Sequence, residues 1–320
     1  MKRKIDWDGQ IGRRLKLRDL HVFFTVVQCG SMVKAAQQLG VSQPAVSEVI
    51  ADLEHALIDT RMVFEQTAYG GVLLKRSIAV FDELKQTIRD IEFLADPTSG
   101  ELRIACPEAI SAILPSVLER FSQKYPRVVL YLDQVATTTL ELPGLRDRKY
   151  DLVLGQLIMP LPNDPVLDDL NVEILCDGQL TVAASPHSRW ARRRKIDLAE
   201  LVDEPWILAT PDTWNYRLVS EASRARGLNI PKTRLMIFSM HVRVVMATSG
   251  RFITTFPSAV VRFSVERFPL KVLPVNLPDR PFPLAIVTLK NRTLSPVVER
   301  FIEYLRDFTQ QMRADKMARQ

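Results

Sequence analysis

Apolar residues change their spacing several times along the chain, and each change marks a new element. From Leu17, the residues Leu20, Phe23, Phe24 and Val27 fall at helical intervals, and Gly30 followed by Ser31 stops that helix and caps the next. The short stretch from Ser31 to Leu39 forms a second helix. Gly40 and Val41 turn the chain, and Ser42-Gln43-Pro44-Ala45-Val46-Ser47 opens a third. From about Tyr69 to Ala95 no proline interrupts the chain, which predicts one helix of about seven turns. On it Leu74, Phe81, Leu84, Ile88 and Ile91 recur, with alternating steps of three and four after Phe81, as in the a/d seam of a coiled coil. Lys75, Arg76, Asp82, Glu83, Lys85, Arg89 and Asp90 occupy the remaining surface. The narrow strip favours pairing with a second copy over packing on its own domain. Pro97 and Gly100 then end the helix and mark a hinge.

Beyond Glu101 strands and helices alternate. "ELRIA", a helix carrying Ile110, Ile113, Leu114, Val117, Leu118 and Phe121, "RVVLYL", a further helix and "DLVLG" read as βαβαβ with parallel strands. After about Asn171 come "VEILCD", "LTVAAS", "PWILAT", a helix near Tyr216 to Arg226, "RLMIFS", a helix near His241 to Ser249, and "RFITTF", which imply a second α/β lobe. "FPLAIVTL" and a final helix from Pro296 to Met312 return the chain to the first lobe. The expected division is 1–68 for the helical head, 69–96 for the linker helix and 101–314 for the two-lobed part. Lobe I takes 101–171 and 276–314, and lobe II takes 172–275. The fold class is α+β overall: an all-α head, a long helix and a two-lobed α/β domain.

The first three helices meet the demands of a helix-turn-helix: a small residue at the helix crossing, glycine in the turn and apolar residues on the inner face of the second helix of the pair. Ala36, Gly40, Val46 and Val49 supply them. Ser42 can cap the recognition helix, and Pro44 is tolerated in a first turn, where its missing N–H has no intrahelical partner to lose. The segment "LRDLHVFFTVVQCGSMVKAAQQLGVSQPAVSEVIADLEHAL" closely resembles the N-terminal domain of LysR-type transcriptional regulators.

That resemblance implies a winged helix-turn-helix whose second helix enters the major groove of promoter DNA, with Ser42, Gln43, Pro44, Ala45 and Ser47 facing it. Glutamine can read adenine bidentately, while serine hydroxyls and a helix N-terminus suit phosphates. It also implies a dimer, or a tetramer, formed through the linker helix, and a C-terminal domain like a type II periplasmic binding protein that senses a small-molecule effector. Two departures stand out. The recognition helix carries Glu48 and Asp52 but no Lys or Arg, and the wing segment "IDTRMVFEQTAYGG" is shortened, leaving only Arg61 basic.

Charge changes the picture at the N-terminus. The formal net charge is +6, and Lys2, Arg3, Lys4, Arg13, Arg14, Lys16 and Arg18 crowd the first eighteen residues against only Asp6 and Asp8. Such an arm suits phosphates and can replace a reduced wing. Arg13, Arg14, Lys16, Arg18, Ser31, Lys34 and Arg61 therefore join the candidate DNA-facing set.

In the two-lobed part, ligands collect at strand C-termini and helix N-termini between the lobes. This places the candidate effector site at Cys106, Pro107, Glu108, Ala109, Thr137, Thr138, Gln156, Thr210, Ser239 and His241, and favours an oxygen-rich ligand such as a carboxylate or a sugar derivative, with Glu108 disfavouring a bare anion. Glu108 has a plainer role as a first-turn carboxylate opposing the helix dipole. Cys106 is either a redox-sensing thiol, lowered by the helix after it, or a small packing residue, and packing is the commoner role.

Cys29, Cys106 and Cys176 are far apart with no CxxC pair, which supports neither a disulfide framework nor structural zinc and fits a reducing compartment. The charged N-terminus reaches no signal-peptide core, and no apolar run is long enough to span a bilayer, so the expectation is a soluble cytoplasmic protein. His21, His55, His187 and His241 are scattered, without metal spacing. Arg192, Arg193, Arg194 and Lys195 read as a solvated loop with no DNA role. An enzyme on the same two-lobed fold is the competing class. No nucleophile-base pair, phosphate loop, metal cluster or cofactor motif supports it. A family member with weakened DNA binding that acts as a dimerisation partner is the other alternative.

Overall fold

A computed structural model of the chain describes residues 15–57, 68–111, 114–136, 142–161, 163–258, 260, 270–277 and 280–318. The chain divides into two compact units, Met1–Ile88 and Arg89–Gln320.

In the first unit α1 spans Leu17–Cys29, α2 Met32–Leu39 and α3 Gln43–Leu57. Gly30 and Gly40 end α1 and α2 at φ +62° and +67°, the left-handed region where a side chain is strained. At the second turn the Val41 N–H returns to the Ala36 carbonyl at 3.0 Å, closing the helix end. Helical spacing then gathers one core from all three helices, with Val22, Phe23 and Val26 facing Ala35 and Ala36 and Val46, Ile50 and Leu53, all buried.

Helix α4 covers Ala68–Ala95 and divides the expected seam in two. Leu73 and Leu74 pack on the three-helix core, and the Phe81 ring lies 5.8 Å from His21 and 6.2 Å from Phe24. Leu84, Ile88 and Ile91 instead face outward, at 42%, 57% and 62% exposure. The early part of the strip is thus consumed by the head, whose three short helices need a fourth wall to close their core. Polar Ser77, Asp82 and Gln86 are buried on the same helix.

The second unit contains two five-stranded sheets. The first is built from β1 (Ser99–Cys106), β2 (Arg127–Gln134), β3 (Leu152–Gln156) and β4 (Leu170–Cys176). Between them lie α5 (Glu108–Ser111), α6 (Leu114–Lys124) and α7 (Pro143–Arg146). The second sheet takes β5 (Leu180–Ala184), β6 (Trp206–Leu208), β7 (Thr233–Met236), β8 (Ile253–Pro257) and β9 (Lys271–Leu273). It carries α8 (Leu198–Leu201), α9 (Trp214–Arg224) and α10 (Met240–Thr248). β10 (Leu284–Leu289) and α11 (Pro296–Ala318) complete the first lobe.

The strand orders are β2-β1-β3-β10-β4 and β7-β6-β8-β5-β9. β1 runs parallel to β2 and β3, whereas β10 is antiparallel to both β3 and β4. Alternation puts Leu102, Ile104, Leu152, Leu154 and Ile286 on one face, under α6 and α11, and Ala105, Val153, Ala285 and Val287 on the other.

One boundary moves from its expected place. "VEILCD" was expected in lobe II, but Val172, Glu173 and Ile174 pair with Val287, Ile286 and Ala285 of β10, so the first sheet extends to Cys176. Fully buried β10 requires a partner on each edge, and β4 is the strand that supplies the second. The chain first leaves this lobe at Asp177 to Gln179. There Gly178 accepts the Phe282 N–H at 2.7 Å where the two connecting segments cross. A Cβ on Gly178 would lie 2.3 Å from the Phe282 carbonyl oxygen, so only glycine allows this approach.

β4 is tied to α11 by a two-pronged ion pair. Arg306 Nε and Nη2 donate to Glu173 at 2.6 and 2.7 Å and hold its carboxyl below the ordinary 4.5. A lowered folded value contributes stability that is fully present above the unfolded value and is lost as pH falls through the folded one. Melting temperature recorded from about pH 6 down to about pH 3 should therefore fall less steeply for Glu173→Gln than for the wild type below about pH 4.5. Parallel curves would remove this contribution.

Candidate nucleic-acid interface and effector cleft

The head presents the start of α3 to solvent. Ser42 caps it, accepting the Ala45 N–H at 3.4 Å while its carbonyl takes the Val46 N–H at 3.2 Å. Ser42, Gln43 and Pro44 are exposed, and Ala45 and Ser47 are half-buried at the edge of the same surface. Val46, Ile50 and Leu53 anchor the opposite face, which fixes the outward direction of Gln43 and Ser47. Lys16, Arg18 and Lys34 are exposed on the same unit, and Ser31 is half-buried between α1 and α2. Arg13, Arg14, Arg61 and the wing segment lie outside the described residues.

In the second unit the loops after the strands of both lobes face a common cavity of about 580 Å³, its open mouth included. Of the expected residues, Pro107, Glu108, Ala109 and Gln156 line it. Four others do not line it. Cys106 is 1% exposed and packs in the core under α6 and α11; burial pushes its thiol up to about 12, so it stays protonated at neutral pH and packing is its role. Thr210 is spent on the turn before α9, its carbonyl accepting from the Thr213 N–H at 2.9 Å and hydroxyl at 2.7 Å. Ser239 and His241 serve α10 rather than the cavity wall. Thr137 and Thr138 lie outside the described residues.

Glu108 has a role beyond its own short helix. Its carboxylate reaches from the first lobe to the start of α10 in the second, where Ser239 Oγ donates at 3.0 Å, the Met240 N–H at 2.7 Å and the His241 N–H at 2.8 Å. Ser239 also accepts the Val242 N–H as the helix cap. Unsatisfied amides at a helix N-terminus carry partial positive charge, so the carboxylate closes the cleft as an internal clasp.

Met240, within the expected stretch 239–241, does line the cavity, whereas sequence reasoning missed the other apolar walls, Trp214, Phe238 and Phe282, together with Thr213 and Arg243. One signal was available for Arg243. It is the single charged residue of α10 and shares the inner face with Met240, Val244 and Ala247, all buried. A charge on an apolar face marks either a structural pair or a site.

Among the described residues no three or more His, Cys, Asp or Glu side chains are placed to hold a metal ion, and no helix is long and apolar enough to cross a membrane.

Comparison with known proteins agrees with both halves. The family model of the bacterial regulatory helix-turn-helix proteins of the lysR family matches residues 17–69, and that of the LysR substrate-binding domain matches residues 95–310. The uncharacterised HTH-type transcriptional regulator YdcI of Escherichia coli K12 is 27% identical over 306 residues, which is 92% of this chain and 96% of that protein. Full-length CbnR, solved in complex with its target DNA, has the same fold at a TM-score of 0.58 and 20% identity, covering 92% of this chain and 99% of its own. The regulatory domain of CcmR from Synechocystis, solved with 2-PG, aligns at a TM-score of 0.57 and 22% identity over 67% of this chain and 99% of its own. The helix-turn-helix head, the two-lobed domain behind it and these matches make the chain a transcriptional regulator rather than an enzyme, and it belongs to the LysR family.

Proposed function

We propose that this regulator acts in the cytoplasm as a dimer, docking the exposed start of α3 in the major groove of a two-fold promoter site and answering to a small molecule held between the lobes of its C-terminal domain. The observation that carries the DNA reading is the outward face of α3: Ser42, Gln43 and Pro44 exposed around a helix N-terminus, on a helix whose other face is locked by Val46, Ile50 and Leu53. A rigid helix with a free polar start is what base-edge readout needs. Lys16, Arg18 and Lys34 supply phosphate contacts that α3, with no Lys or Arg of its own, does not, and the basic arm before them adds to that charge. The match to a protein solved with its target DNA supports the docking mode, and the match to a domain solved with a small molecule supports the cleft.

Dimerisation is supported by α4, where Val80, Leu84, Ile88, Ile91 and Leu94 form an apolar strip open to solvent in the single chain. Two copies of such a strip can bury one another about a two-fold axis, and a two-fold protein calls for a two-fold site. The effector then acts by preferring one arrangement of the lobes, which shifts the population of dimer conformations.

Gel-shift titration against the intergenic DNA upstream of the regulator's own gene tests the DNA reading. Gln43→Ala should weaken specific binding by about 1–3 kcal/mol, which is about 5- to 150-fold, while binding to unrelated DNA changes little. Equal loss on both DNAs, or no specific complex with the wild type, would overturn it.

A further inference from the structure

Two buried side chains that line the cleft each hold a hydrogen-bond donor without an acceptor. Arg243 is 3% exposed and Gln156 is 4% exposed, and both line the same cavity. Arg243 Nε and Gln156 Nε2 have no hydrogen-bond partner. Burying a donor unpaired costs about 1–3 kcal/mol, so two in one cavity mark a place that a ligand completes.

Charge narrows the class of ligand. Arg243 uses Nη1 on the Thr255 carbonyl at 3.0 Å and lies over the Phe256 ring at 5.3 Å, neither of which neutralises it. Burial lowers its pKa to about 10, and Glu108 is the carboxylate whose charge opposes that shift. Glu108 already takes three donors at the start of α10, so much of its charge is answered there. A positive charge thus stays undercompensated on a buried side chain, which an incoming anion corrects. The remaining walls are mostly apolar, with Trp214, Phe238, Met240 and Phe282 around the cavity. A sugar would leave several hydroxyls without partners on such walls, and a multiply charged anion would bring more charge than one guanidinium balances.

We propose that the cleft binds a small monocarboxylate with a compact apolar body, its carboxylate accepting from Arg243 and Gln156 and its body lying against Trp214, Phe238 and Phe282. The proposal rests on the reading of the cleft as the effector site, and adds to it the ligand's charge, its size and the two side chains that read it. Glu108 fits this scheme as the clasp that keeps the lobes together beside the bound ligand.

Titration calorimetry on the full chain with phenylacetate, phenylacetamide and acetate tests it. Phenylacetate should bind at least about tenfold more tightly than the amide, which lacks the charge, and than acetate, which lacks the body. Arg243→Gln should weaken phenylacetate about tenfold or more and the uncharged amide less, and Gln156→Leu should weaken both, because the amide carbonyl also accepts a hydrogen bond. Should Arg243→Gln not fold, as its melting curve will show, Gln156→Leu with the acid-to-amide ratio decides alone. The amide binding as well as the acid, or no binding of the acid by the folded wild type, overturns the proposal and leaves the cleft available to another ligand class. Acid binding that neither Gln156→Leu nor Trp214→Ala alters places the acid outside the cleft and overturns the effector-site reading with it.

Discussion

Replacing Asp151 by alanine is expected to destabilise the C-terminal unit by about 3–5 kcal/mol, the cost of removing one member of a buried ion pair. Asp151 and Arg292 are each 2% exposed and meet at 2.9 Å, while Arg292 Nη1 also donates to the Tyr150 carbonyl. The same carboxylate accepts the Arg103 N–H at 2.8 Å and lies 3.6 Å from Arg89 on α4. It therefore joins the first residue of the C-terminal unit, the start of β3 and the loop before α11. Without it the Arg292 guanidinium loses its counter-charge in a dry setting, and the Arg103 amide loses its acceptor. A drop in Tm on the order of 10 °C should appear by calorimetry, given about 2–4 °C per kcal/mol for a unit of this size. The double variant Asp151→Leu with Arg292→Met should recover part of the loss, because it removes both charges together. A single variant that melts with the wild type would show that the pair contributes little.

Ile88→Asp should convert the proposed dimer to a monomer without harming the fold. Ile88 is 57% exposed in the single chain and flanked on the same strip by Leu84 and Ile91, at 42% and 62%, so a carboxylate there disturbs no core. In a two-fold pairing the substitution occurs in both copies. Each loses about 1.5–3 kcal/mol of burial and gains a charge facing an apolar partner. The dimer dissociation constant should rise by about 100-fold or more, seen by sedimentation velocity at micromolar protein. Affinity for a two-fold DNA site should fall with it, since two heads on one dimer bind far more tightly than two separate heads. An unchanged sedimentation coefficient with an intact circular dichroism spectrum would remove α4 as the pairing surface.

Much of the head was legible because its signals are local. Gly30 and Gly40 mark positions where φ must be positive, Ser42 marks a cap, and the spacing of Val46 from Val49 marks an inner face. Each depends on residues within about a turn of one another, so backbone sterics alone can enforce them. The seam of α4 was legible as a pattern but not as an interface. Phe81 and Ile88 lie on one strip, yet His21 and Phe24 take the first and leave the second to solvent. Periodicity says which residues share a side of a helix and not what covers that side.

The cleft divides the same way. Strand C-termini named its neighbourhood, so Pro107, Glu108, Ala109 and Gln156 were reachable from the alternation of strand and helix. The clasp between Glu108 and Ser239 spans 131 residues, and nothing within either segment announces the other. By itself, then, the sequence determined the helix-turn-helix, the long helix, the two α/β lobes and membership of the LysR family, because dihedral limits, caps and hydrophobic periods act over a few residues. Only the tertiary structure decided that β4 closes the first sheet, that Cys106 is core, and that Glu108, Gln156 and Arg243 face one another's lobes. Those relations depend on how the chain crosses at Gly178 and Phe282 and on which buried groups find partners after it does.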